Sequence, residues 1–145
     1  MDNITWWRFD NAVDSKTCNK IIKLADKKWI TAATRKEEGQ KNRKTNISWT
    51  KEQWLFDLVF EYMTSANTQA GWNFEVDAAE TMQIGKYSKG CFYNYHQDGD
   101  GVTTYDDPEN EWIHNKTRKL SMSILLNENY EGGDFKFYGD KETAL

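Results

Sequence analysis

Two stretches in the first half of the chain space their apolar residues by three and four positions, which predicts amphipathic helices. The first covers residues 15–28 and can be capped by Asp14 or Ser15. The second runs from about 51 to 67, with Thr50 as its N-cap. We therefore expect a helical region at the start of the chain.

From residue 72 onward the pattern changes to short apolar and aromatic runs that predict β-strands. The candidates are residues 72–76, 80–87, 92–97, 118–127 and 135–138. Within the fourth run, apolar and polar residues alternate, as in a half-buried strand. A turn at Gly132-Gly133 should let the last strand pair antiparallel with a neighbour. Helices followed by antiparallel strands predict an α+β fold.

Composition narrows the function classes. The 145 residues suit a single domain, 1–145, and aromatic residues are 14% of them, so large rings must supply much of the buried surface. A net charge of -4 excludes a general nucleic-acid binder, which needs a basic surface. The locally basic residues 35–44 predict a solvated loop. No leader or membrane-length apolar run is visible, so we expect no membrane partner and a cytoplasmic location.

The candidate chemistry lies at the end of the third predicted strand, where His96 and Asp98 stand two residues apart. Side chains at that spacing on a strand point to the same face. They are two of the three ligands of the triad of two histidines and one carboxylate that binds Fe(II). A histidine capped by a nearby aspartate at a strand end is the competing interpretation.

Other chemistry fits less well. A calcium loop beginning at Asp98 would need glycine at its sixth position, where Thr103 stands. No nucleophile elbow or phosphate-binding glycine loop is present, and neither Cys18 nor Cys91 has an activating partner in the sequence.

The motifs around the histidine resemble, in order and spacing, the prolyl-4-hydroxylase-type branch of the Fe(II)/2-oxoglutarate-dependent dioxygenases. The resemblance spans about residues 78 to 138 and rests on residues 83–87 (QIGKY), 90–98 (GCFYNYHQD), 118–121 (RKLS) and 131–135 (EGGDF). It implies a double-stranded β-helix, or jelly-roll, core over 78–145, with N-terminal support helices over 1–77.

The resemblance also implies roles for five residues. His96 and Asp98 match metal ligands, and Tyr87 matches a tyrosine that contacts 2-oxoglutarate. Tyr93 and Arg118 match residues on the substrate side, although ordinary packing would also explain these two and Tyr87. The expected reaction uses Fe(II), 2-oxoglutarate and O2, with ascorbate as an accessory, to hydroxylate a prolyl or other side chain of a peptide or protein, or a small molecule.

The chain departs from the family after residue 138. The family's second histidine and the basic residue that anchors 2-oxoglutarate both follow this point, whereas His114, the other histidine here, precedes Arg118. We expect an incomplete copy of a longer protein without the last core strands, with weak metal binding and negligible turnover. The alternative function is a non-catalytic jelly-roll binding module with an aromatic recognition surface.

Overall fold

A computed structural model describes residues 4–25, 28–32, 42–137 and 143–144. Within these ranges the fold is mixed α and β, as the order of the sequence patterns predicts. Its elements are α1 Ser15–Ala25, β1 Ile30–Thr31, β2 Arg43–Lys44, β3 Asn46–Thr50, α2 Gln53–Gln69, β4 Met82–Lys86, β5 Phe92–Tyr93, β6 Lys136–Phe137 and β7 Thr143–Ala144.

The largest sheet has the strand order β1-β3-β4, and both of its pairings are antiparallel. Five residue pairs join β3 to β4, from Asn46 opposite Lys86 to Thr50 opposite Met82. Two smaller antiparallel pairs, β2 with β5 and β6 with β7, complete the described sheets. The β3–β4 ladder therefore connects the N-terminal half of the chain to the segment that leads to the candidate site.

The core lies where both helices meet β4. Its buried centre consists of Ile21 and Ala25 of α1, Leu55 of α2 and Ile84 of β4. Partly buried side chains pack around this centre: Leu24, Trp29, Trp54, Leu58, Val59, Met82 and Leu126. Burial of apolar surface there is the main force that holds the helices on the sheet.

No helix within the described ranges is long and apolar enough to cross a membrane.

The first helix confirms its predicted start. Asp14 Oδ1 accepts a hydrogen bond from the Thr17 N–H at 2.7 Å, which satisfies one of the unpaired donors of the first turn. The hydrogen bond also lowers the pKa of the Asp14 carboxyl. The helix ends at Ala25, earlier than predicted, and Lys28 is not helical; residues 26–27 lie outside the described ranges.

The predicted N-cap of the second helix is wrong. Thr50 is the last residue of β3, because its backbone pairs with Met82, and the helix begins two residues after Lys51, at Gln53. Glu52 occupies the N-cap position without a side-chain capping bond. β3 itself was not expected from the sequence.

The predicted strand at 72–76 is also wrong, because a side chain takes the place of a strand partner. Asn67 of α2 donates from Nδ2 to the Phe74 carbonyl at 2.8 Å and accepts the Phe74 N–H at 3.0 Å. Asn73 has a φ of 53°, which turns the chain out of an extended path. One buried amide therefore satisfies the main chain that a neighbouring strand would otherwise pair.

Of the later predicted strands, 80–87 is confirmed as β4. Only Phe92–Tyr93 of 92–97 forms a strand, and it pairs with Arg43–Lys44, so the loop predicted over 35–44 is wrong at those two residues. Residues 33–41 lie outside the described ranges. Lys136–Phe137 pairs antiparallel with β7, following two glycines with φ near +70°; residue 138 is not described.

Residues 118–127 form no strand, although their side chains alternate between half-buried and exposed positions from 118 to 127. Among the described residues, their main chain takes part in no backbone–backbone hydrogen bond. The predicted period of two is therefore confirmed by burial, while the predicted strand is wrong. Among the described residues, no strand pairs with this segment. Of its apolar residues, Leu126 is the one that packs against the core cluster.

We predict that Asn67→Ala lowers the free energy of unfolding by about 2 kcal/mol, because it leaves the N–H and carbonyl of Phe74 without partners. Urea unfolding measures the change. Gln69→Ala, at the exposed end of the same helix, is the control and should change stability by less than about 0.5 kcal/mol. Equal stability of the two variants would contradict the role of Asn67.

Candidate metal centre

His96 and Asp98 meet, but not on a strand. β5 ends at Tyr93, so the strand geometry from which the pair was predicted is wrong. The turn that follows nevertheless brings His96 Nε2 within 3.3 Å of Asp98 Oδ1, and both side chains are partly exposed to solvent. Two ligands of one divalent metal, each about 2.1 Å from it at right angles, lie about 3 Å apart. The pair has this spacing.

The imidazole of His96 is oriented by a backbone carbonyl and by an aromatic ring. Its Nδ1 lies 2.8 Å from the Asn94 carbonyl oxygen, a contact that requires the proton on Nδ1. In the neutral imidazole with this tautomer, Nε2 carries the lone pair, and Nε2 is the nitrogen next to Asp98, as in a metal-binding histidine. The ring of Tyr93 stacks on the imidazole with centroids 3.6 Å apart and planes at 12°.

Tyr93 is in turn supported by Arg43. The two residues are directly opposite in the β2–β5 pair, and the guanidinium carbon lies 4.4 Å from the ring centroid. Arg43 Nη2 also donates to Gln83 Oε1 of β4 at 2.5 Å. The stack of guanidinium, phenol and imidazole is therefore attached to the central sheet.

Asp98 is held from the other side by Arg118, whose Nη1 donates to the Asp98 carbonyl. The same guanidinium donates to both carboxylate oxygens of Glu80, from Nε at 2.6 Å and from Nη2 at 2.5 Å. Tyr105 donates its hydroxyl to Glu80 as well. Arg118 has five N–H groups, and this network engages three of them.

Charge and burial act in opposite directions on the pKa values of Glu80 and Arg118. Burial alone would raise the pKa of Glu80, but the hydrogen bonds from Arg118 and Tyr105 outweigh it and hold that pKa below its usual value of 4.5. The bond to Glu80 raises the pKa of Arg118, and burial together with Glu80 raises the pKa of Tyr105. The Glu80–Arg118 pair is therefore ionised at neutral pH.

The remaining candidate residues are Tyr87 and His114. Tyr87 follows β4 and is 50% exposed. Within the described residues, no hydrogen bond or ring contact joins it to His96 or Asp98. The Nδ1 atom of His114 accepts the Asp107 N–H at 3.3 Å inside the long loop.

Asp100, in the loop after the site, uses its carboxylate within its own turn. Its carboxylate accepts hydrogen bonds from the Thr103 N–H at 2.7 Å and the Val102 N–H at 2.9 Å, and from the Thr103 hydroxyl. Together these bonds lower the pKa of Asp100 to about 2. The carboxylate serves the turn of its own loop.

The donor set of the site is a pair. Among the described residues, no group of three or more His, Cys, Asp or Glu side chains could hold a metal ion. The imidazole nitrogen and the carboxylate fit two positions of an Fe(II) centre by chemistry and by spacing.

Sequence patterns missed three residues of the cluster, Glu80, Tyr105 and Arg43. Glu80 lies 38 positions before Arg118, and Arg43 lies 50 positions before Tyr93. The sequence carries no periodic signal for pairs so far apart. The one local signal for Glu80 is its charge at the start of the predicted strand 80–87.

No family model matches the sequence, and comparisons with curated proteins and with solved structures also find no match.

We predict that Tyr93→Leu shifts the ring-proton NMR resonances of His96 downfield, because the ring current of the stacked phenol is lost. Tyr93→Phe keeps the aromatic ring and should leave these resonances close to those of the wild type. A Leu variant with unchanged resonances would exclude the stack.

The Glu80–Arg118 pair should make stability depend on pH. Because the pKa of Glu80 is lower in the folded chain than in the unfolded one, its stabilisation is full above about pH 5 and is lost as pH falls below 4.5. Urea unfolding of the wild type and Glu80→Gln at pH 7 and pH 3 measures this. The wild type should be the more stable at pH 7, and the difference should shrink at pH 3; a constant difference would contradict the ion pair.

Proposed function

We propose that this chain carries the iron-binding part of an Fe(II)/2-oxoglutarate-dependent dioxygenase of the prolyl-4-hydroxylase type, acting on a prolyl or other side chain of a peptide or protein. One observation carries the proposal: His96 Nε2 and Asp98 Oδ1 lie 3.3 Å apart while Nδ1 contacts a carbonyl. The ordered motifs around this pair support it.

His96 and Asp98 are the residues that would hold Fe(II). With 2-oxoglutarate and O2, the bound iron supplies the oxidation that hydroxylates a C–H bond. The chain itself fixes the imidazole plane through Tyr93 and Asn94. Its Nδ1–H donates to the Asn94 carbonyl, so that Nε2 can bind a cation. Ligand orientation is therefore the contribution of the protein.

The residues proposed to contact the substrate and 2-oxoglutarate are supported to different degrees by their positions. Arg118 uses three N–H groups on Glu80 and Asp98 within the described residues, and its guanidinium lies next to a metal ligand, where a further N–H could donate to a substrate carbonyl. Tyr93 lies directly on the imidazole, so its ring forms one wall beside the metal position. Tyr87 is exposed after β4, and its proposed contact with 2-oxoglutarate rests on the motif.

We propose further that the strands belong to a double-stranded β-helix core. The alternation of half-buried and exposed side chains over residues 118–127 supports this, because it is the pattern of a strand with one face on a core. In that fold these residues would be a core strand next to the one that leads to His96.

A non-catalytic binding module is the second candidate, and exposed aromatic side chains favour it. Trp49 is 48% exposed and Trp112 is 60% exposed, which is unusual for side chains with so much apolar surface. Such a module would bind its ligand through these rings, and its binding would not need a metal ion.

Co(II) binding by His96 and Asp98 tests the main proposal. We predict that the chain binds Co(II), a stand-in for Fe(II) that resists air oxidation, and that His96→Ala and Asp98→Ala each abolish binding. Calorimetry or the visible absorption of Co(II) measures it. His114→Ala removes the other histidine of the chain and is the matched control, which should bind as the wild type does.

Equal Co(II) binding by the wild type and both ligand variants would overturn the proposal. Binding that His96→Ala abolishes, and that 2-oxoglutarate perturbs in the wild type alone, would exclude the metal-independent module.

A further inference from the structure

The segment just before β4 contains a carboxylate that touches neither metal ligand and yet is connected to one of them. Glu80 is half-buried, and both of its oxygens accept hydrogen bonds from Arg118. A two-point contact between guanidinium and carboxylate fixes the plane as well as the distance of the two groups. Glu80 therefore determines the orientation of the Arg118 side chain.

Arg118 passes this orientation on to Asp98. Its Nη1 donates to the Asp98 carbonyl, and a Cβ placed on Gly99 would lie 3.5 Å from the Arg118 Cβ, so the chain directly after Asp98 runs against the arginine. Asp98 lies outside any strand, and among the described residues no ladder fixes its main chain. The hydrogen bond from Arg118 takes the place of that ladder.

The third partner of Glu80 fastens the far part of the same loop. Tyr105 donates its hydroxyl to Glu80, while its main chain bonds to both Asn115 and Lys116, at 2.9 Å each. One carboxylate thus holds the start of the loop through Arg118 and its middle through Tyr105. Both contacts reach the segment that leads into β4.

We propose that Glu80 is a positioning residue for the metal centre: through Arg118 it holds the backbone of Asp98 so that the Asp98 carboxylate faces His96 Nε2. This inference rests on the proposed function for its metal, but its geometry is a property of the metal-free chain. Removal of Glu80 frees the guanidinium to turn away, and the main chain at Asp98 then loses its fixed hydrogen bond.

The test compares the Co(II) affinity of the wild type, Glu80→Gln and Asp77→Asn. Glu80→Gln should weaken binding by about 10- to 100-fold, the usual effect of removing a group that orients a metal ligand. Asp77→Asn breaks the exposed Asp77–Lys116 ion pair of the same region and should leave the affinity unchanged. Equal affinity of Glu80→Gln and wild type would overturn the proposal.

A charge-swapped double variant, Glu80→Arg with Arg118→Glu, separates positioning from simple stability. The swapped ion pair should recover part of the urea stability that Glu80→Arg alone loses. Co(II) affinity should stay low, because the group next to the Asp98 carbonyl is then an acceptor and cannot donate to it. Recovery of affinity together with stability would reduce Glu80 to a structural role and contradict the proposal.

A wild-type chain that binds no Co(II) would overturn the proposed function. The positioning role of Glu80 is then measured by NMR on the metal-free chain. Glu80→Gln should shift the NMR resonances of the His96 ring and of the Asp98 amide, whereas Asp77→Asn should not. Unchanged resonances in Glu80→Gln would overturn the inference independently of the metal.

Discussion

The pairing of β3 with β4 is the constraint on which the rest of the described structure depends. It places Ile84 between the two helices, and so it completes a core whose other buried members come from α1 and α2. The same strand contains Gln83, whose side chain accepts a hydrogen bond from Arg43. It directly follows the segment that contains Glu80. The apolar centre and both supports of the candidate site are therefore fixed by one antiparallel ladder.

The two supports act on different parts of the metal-ligand pair. On one side, stacking of flat groups orients the ring of His96, which is a contact of low directionality but large area. On the other side, a charged network fixes the main chain of Asp98 through directional hydrogen bonds. Since both supports lead back to β4, a displacement of that strand would move both ligands together and would preserve their separation.

Sequence patterns predicted what depends on local periodicity and missed what depends on distant partners. The helix at Ser15–Ala25 was predicted because its apolar period and its cap residue Asp14 are both local. The strand at 72–76 was wrong because Asn67, several residues earlier, satisfies the main chain of Phe74, and residue composition does not reveal such a contact. Spacing brought His96 and Asp98 to notice although the assumed strand was wrong, and the role of Glu80 could be seen only once Arg118 was in place.

The main chain of residues 118–127 has a consequence for the behaviour of the molecule in solution. Leu126 packs this segment against the core, while its N–H and carbonyl groups find no backbone partner among the described residues. A strand from another molecule could supply these groups with hydrogen bonds without disturbing the packing of Leu126. Within the part of the chain that the structure describes, this segment is accordingly open to edge-to-edge association, and Lys119, a positive charge at its start, opposes that association.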